Sequence, residues 1–237
     1  MSKRRELDAL HERIDGKSLR RAFDRASGKA PMHILNAWAT AGRVALGQIP
    51  VDAKENEIVA IPKLLGLIAV RKRIVTIGAI GCQKEIARTI IGGGGDDLLR
   101  VKDNRPALAR RMRDFFLDAE KDGFPGKHWE YTEETDGDHG RVEVRRVWAC
   151  EDINWFQDRS LWAELKTVVF RRSTREVING KTSEELHIYI TNRPAQDVVR
   201  LARAARERWV LAMAFDEDQS RARKDNSPIN LAAIRRT

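Results

Sequence analysis

The chain holds only two cysteines in 237 residues, Cys82 and Cys150. They are too few and too far apart for a disulfide framework or a zinc site, and their apolar neighbours mark them as buried structural thiols. No apolar run approaches the roughly 20 residues that span a bilayer. MSKRREL carries charge but no apolar segment follows it, so no export signal or membrane partner is expected, and the expected location is cytoplasmic. Internal repeats and low-complexity segments are absent. The histidines His11, His33, His128 and His187 show no metal-ligand spacing. Gly92 to Gly95 precede no Gly-Lys-Ser/Thr, which turns a phosphate-loop reading into that of a flexible turn. Asp136 and Asp138 lie in DGDHG without the closing glutamate that a calcium loop needs.

Positive charge is what the chain does have. A formal net charge of +9 and a pI near 9.8 fit a polyanionic partner, although charge alone does not name it. With 42% hydrophobic and 33% charged residues the chain reads as a globular protein able to bury a large core. Strands are expected at Met32 to Ala41 and Val44 to Val51, joined by Ala41-Gly42-Arg43, and a helix over Asn56 to Ile68 with Pro62 in its early turns. Leu98 to Lys102 reads as a strand. Asn104 is the expected cap of a long helix from Arg105 to Lys121, whose Leu108, Met112, Phe115 and Phe116 share one face and belong to the core. Gly123 to Gly140 reads as polar and turn-rich. Val142 to Cys150, Val168 to Val177 and Glu185 to Thr191 read as further strands, and Pro194 opens a helix reaching Trp209.

The segment IVTIGAIGCQKEIA, Ile74 to Ala87, carries most information. Ile74 to Ile77 form a β-branched run that predicts a buried strand, and Cys82 to Ile91 an amphipathic helix. A strand ending just before a helix is where open α/β sheets place ligand chemistry. A magnesium-dependent phosphoryl-transfer site would carry a carboxylate there, and the residue is Gly78. Together with IDGKSLR (Ile14 to Arg20), ALGQIPVDAKENEIVAIPKLL (Ala45 to Leu65), DHGRVEVRRVW (Asp138 to Trp148), NGKTSEELHIYI (Asn179 to Ile190) and FDEDQSRARKDNSPINLAAIRR (Phe215 to Arg236), this segment resembles bacterial insertion-sequence transposases of the H-repeat-associated (ISAs-type) family. The six segments stand in the family's order and cover nearly the whole chain from Ile14 onward.

The resemblance implies an α/β fold: a ribonuclease-H-like mixed sheet with flanking helices and a β-rich insertion. It divides the chain into a remnant segment 1–13, the first part of the core at 14–122, the insertion at 123–192 and a shortened helical part of the core at 193–237. The implied chemistry is DNA transposition by a DDE site, in which three carboxylates hold two Mg²⁺ ions about 4 Å apart. Asp15 matches the first carboxylate, catalytic and metal-binding. Gly78 stands where the second aspartate belongs, and Arg208-Trp209 runs into Val210-Leu211 where a block holding the third, a glutamate, is missing. Mg²⁺, the family's cofactor, dehydrates too reluctantly to stay on one side chain. Asp96, Asp97, Glu217 and Asp218 are poor substitutes on grounds of strand alternation, distance and helix phase.

The expected partner is double-stranded DNA, the transposon ends, with a homodimer as an option. Lys17, Arg20 and Arg21 flank Asp15, Lys102 ends the neighbouring strand, and Arg206 and Arg208 lie on the late helix, all placed to track phosphates. His139, Arg141 and Arg145 form a strand face that is either a solvated surface or a further DNA contact. The resulting expectation is a defective copy of the transposase. Its alternatives are a non-catalytic DNA-binding protein that competes with an intact transposase, and a pseudogene product.

Overall fold

In a computed structural model, residues 11–18, 33–40, 44–51, 56–126, 128–138, 141–177 and 180–206 are described. Strand β4 (Ile74–Ile77) is built wholly of β-branched residues, and all four are buried. Such a run buries both faces only inside a sheet. It lies between β1 (His11–Ser18) and β5 (Asp96–Val101), parallel to both. On the far side of β1, β2 (His33–Ala39) and β3 (Val44–Val51) continue the sheet antiparallel. Beyond β5 come β9 (Ser183–Thr191), β8 (Thr167–Val177), β7 (Arg141–Cys150) and β6 (Trp129–Asp138), each antiparallel to its neighbour. The result is one mixed nine-stranded sheet of order β3-β2-β1-β4-β5-β9-β8-β7-β6.

Helices α1 (Glu57–Leu65), α2 (Lys84–Gly92), α3 (Pro106–Lys121) and α4 (Val198–Arg206) flank this sheet. The larger core gathers Ala60, Ile61 and Leu64 of α1, Ile86 and Ile90 of α2, and Met112 and Phe116 of α3 over Ile14, Val75, Ile77 and Leu99. Phe116 stacks on Phe170 at 4.6 Å between centroids, joining α3 to β8. On the opposite face Val198, Leu201, Ala204 and Ala205 of α4 cover Ile74, Leu98, Val147, Val169 and Tyr189. Alternation along β4 therefore assigns Ile77 to the first face and Ile74 to the second.

Several expected boundaries move. Trp129–Asp138 is a strand, although it lies in the stretch expected to be turns. Its polarity suits an edge strand whose acids pair across to basic β7, with Glu133 opposite Arg146 and Glu134 opposite Arg145. Asp96 and Asp97 open β5 rather than precede it. Asn104 does not cap α3; Arg105 holds that position without a side-chain cap, and the Asn104 amide donates to the Ala79 carbonyl. Asn56 does cap α1, accepting from the Val59 N–H at 3.3 Å. Helix α2 begins at Lys84, after a 3₁₀ turn at Ala79–Gly81. Another short 3₁₀ turn, Ala195–Asp197, leads into α4, and the expected extension to Trp209 lies outside the described residues. No described helix is long and apolar enough to cross a membrane.

Candidate functional site

Strand register decides what stands beside Asp15. Ile14 pairs with Ile77 as the last rung of the parallel β1–β4 ladder, so Asp15, within β1, and Gly78, just past the end of β4, are the next neighbours. Ile77 in turn pairs with Leu99, which places Arg100 of β5 beside Gly78. On the other side Asp15 faces Asn36 of β2. Alternation turns Asp15, Gly78 and Arg100 to the face that α4 covers. The neighbouring Gly16 confirms this, because a Cβ added there would meet Glu57 and His33 on the α1 side. Those two side chains bond each other at 2.7 Å and are thereby separated from Asp15 by the thickness of the sheet.

The Asp15 carboxylate is 43% exposed and accepts from the Arg13 guanidinium at 2.6 Å, while the Arg13 side chain is only 5% exposed. Two residues apart on one strand, they share a face by necessity. Nothing in the sequence reading singled out Arg13; its spacing from Asp15 was the available signal. Gly78 adopts φ −57°, ψ 171°, a conformation open to any L-residue, so the backbone does not require glycine there. The loop after β4 is braced by the loop after β5. Asn104 holds the Ala79 carbonyl, and Arg105 donates to Gln83 Oε1 and to the Cys82 carbonyl. Arg105 also lies 5.9 Å from the Trp162 ring centroid, tying this end of the sheet to the segment between β7 and β8.

Asp96 and Asp97 stand at the opposite end of the sheet. They pair with Ile74 and Val75, so Asp97 is three residues below Gly78, or about 10 Å. Asp97 is buried, its carboxylate accepting from the Asn192 N–H at 2.9 Å while the Asp97 N–H donates to Asn192 Oδ1. Asp96 binds Arg193 and the Asn192 amide. Burial pushes the Asp97 carboxyl up to about 7, against the bond from Asn192. Both carboxylates fasten the β9–α4 connection to β5. Glu217 and Asp218 lie outside the described residues. Among the described residues no three His, Cys, Asp or Glu side chains converge on a point. One carboxylate already bonded to arginine, next to a glycine, does not make the donor set for two Mg²⁺ ions.

The basic residues are dispersed. Lys102 follows β5 directly, with its ammonium 3.7 Å from Asp103 and 57% of the side chain exposed. Lys17 lies in β1 opposite Ile34. Arg141 begins β7 and is exposed. Arg145 bonds Glu143 at 3.1 Å and approaches Asp136 at 3.4 Å. Arg206, the last residue of α4, reaches Glu134 at 3.2 Å and also Asp136, both on β6. Arg20, Arg21, His139 and Arg208 lie outside the described residues. Arg145 stands five strands from Asp15, about 24 Å across the sheet. Buried Arg171 on β8 fastens the end of α4 a second time, donating to the Ala205 carbonyl at 2.7 Å and to His187 Nδ1 at 3.0 Å. The thiols are inert, since burial pushes Cys82 up to about 12 and Cys150 up to about 11.

The molecule is thus a mixed α/β protein whose large sheet carries Asp15 beside Gly78 on the face that α4 covers. No family model matches the chain. It is 41% identical over 182 residues to an uncharacterized protein in the dhlA 3' region of Xanthobacter autotrophicus, covering 77% of this chain and 60% of that one. It is 33% identical over 233 residues to the "Putative transposase YncI" of Escherichia coli O157:H7, covering 94% and 59%. It is 30% identical over 233 residues to the "H repeat-associated putative transposase YhhI" of Escherichia coli (strain K12), covering 94% and 61%. The chain is a homologue of proteins named putative or H repeat-associated putative transposases, and it spans about three fifths of the length of these two.

Proposed function

We propose that this chain is an insertion-sequence transposase derivative of the DDE type, built on a ribonuclease-H-like fold, that binds double-stranded DNA in the cytoplasm and lacks strand-cleaving chemistry. One observation carries the reading: Asp15, inside β1, and Gly78, just after β4, are neighbours on one face where the parallel β1–β4 ladder ends. The first would supply the family's leading carboxylate, and the second leaves its partner position without a ligand atom. The antiparallel start β3-β2-β1, continued by parallel β4 and β5, supports the ribonuclease-H-like assignment. The exposed side chains of Lys102 and Arg141 support a duplex held through its phosphates along this side of the sheet. Arg206 supports such a surface by holding the end of α4 against β6.

The test is a gel-shift and cleavage assay on duplexes carrying the terminal repeats of a related element, in Mg²⁺ or Mn²⁺. Binding to the ends at least about tenfold tighter than to random duplex, without cleavage, is the expected result. Cleavage that disappears in Asp15→Ala would refute the loss of chemistry. Equal affinity for random duplex would refute recognition of the ends and favour a decayed product with only salt-dependent binding.

A further inference from the structure

We infer that Arg13 is a built-in counter-cation for Asp15, occupying the electrostatic place of a divalent metal, so that this strand end excludes metal through a charge as well as through the missing ligand at Gly78. The inference rests on reading Asp15 as the family's first carboxylate. Three observations converge on it. The Arg13 guanidinium bonds Asp15 Oδ2 at 2.6 Å, and its side chain is held at 5% exposure within the sheet, where strand geometry keeps it on the same face. Arg100 stands next to Gly78 in the ladder, so a second guanidinium-bearing residue flanks the vacant ligand position. No described carboxylate on that face at that level offers a replacement, since Asp96 and Asp97 open β5 at the far end. A divalent ion approaching Asp15 meets a fixed positive charge within a few ångströms, in a partly desolvated setting where screening is weak. The guanidinium already supplies the carboxylate with charge and a hydrogen bond, needing no dehydration of a metal.

DNA binding at this face is accordingly metal-independent. Restoring a metal site requires two changes, one to remove the cation and one to add a ligand. The measurement is Mn²⁺ binding by the full chain, followed by the electron paramagnetic resonance signal of free Mn²⁺. It is made on the wild type, Gly78→Asp, Arg13→Ala and the double variant, each with and without Asp15→Asn, and circular dichroism and the DNA shift in EDTA report folding. The expected result is no Asp15-dependent binding in the wild type at about 1 mM Mn²⁺, and binding by the double variant about tenfold or more tighter than by Gly78→Asp alone. Asp15-dependent binding by the wild type would overturn the inference. So would a Gly78→Asp single variant that matches the double, because Arg13 would then be a bystander. A folded double variant that binds no better than the wild type would equally show that Arg13 is not the obstacle. DNA-end recognition is read separately in EDTA, so its failure would strike the proposed function and not the cation exchange.

Discussion

Asp97 makes the stability of this protein depend on pH in the direction opposite to that of most paired carboxylates. The residue is 3% exposed, and burial pushes its carboxyl up to about 7 from an ordinary value of 3.8. A group whose folded value is raised binds its proton more tightly in the native state, so the native state gains stability as pH falls through about 7. The gain saturates near the unfolded value. Integrating one proton between pH 8 and pH 5 with these two values gives about 2 to 3 kcal/mol of added stability at the lower pH. Asp97→Asn keeps an oxygen for the Asn192 N–H and removes the titration. Urea unfolding at both pH values, with wild type and variant compared at each, isolates the contribution of this side chain from all others. Between pH 8 and pH 5 the stability difference between the two proteins is expected to shift by about 2 to 3 kcal/mol in favour of the wild type, with the variant at its best relative to the wild type at pH 8. A difference between the two proteins that does not change with pH would refute the argument, and would mean that Asp97 stays ionised within its bonds to Asn192.

Glu12 is pushed up to about 7 by burial, against the neighbouring Arg73, so Glu12→Gln should likewise flatten the wild type's stability gain between pH 8 and pH 5, as read by the same urea midpoints. Arg171→Met should leave the Ala205 carbonyl and His187 without their donor at a cost of about 1.5 to 3 kcal/mol, with faster amide exchange in the last turn of α4 as its direct sign. Phe116→Ala removes a ring that is fully buried against Phe170 and Trp148, and should cost about 3 to 5 kcal/mol in chemical denaturation. Gly78→Asp should change stability by less than about 1 kcal/mol, since φ at that position is −57°; a larger loss would mean that the site has closed sterically.

The parts of the fold that were legible from sequence are those where one physical requirement dominates. Four consecutive β-branched residues fit only a buried strand, and that strand fixes where Gly78 sits. The stripe of Met112 and Phe116 in α3 is fully buried as its spacing requires, with Leu108 and Phe115 packed beside it. β6 was missed because an edge strand buries little, and its acids find partners across the ladder rather than in a core. Arg206 looked like a free cation on a helix, yet its partners Glu134 and Asp136 lie some 70 residues away in sequence. The Arg13–Asp15 bond needed only the rule that alternate strand residues share a face, and it changes what the strand end can hold. Expectations placed on Arg20, Arg21, His139, Arg208 and the block after Trp209 concern residues outside those described.

The junction between β5 and β9 also has a consequence in time. Val101 pairs with Ile188, so the chain must make a long excursion through α3 and β6 to β8 before the two halves of the sheet meet. During synthesis at about 5 to 20 residues per second, the apolar edge of β5 waits several seconds, up to roughly 17, for its partner. In that interval an antiparallel segment of a neighbouring nascent chain can dock in its place. The half-built sheet, with the β5 edge open, is the stage at which such wrong pairing is available.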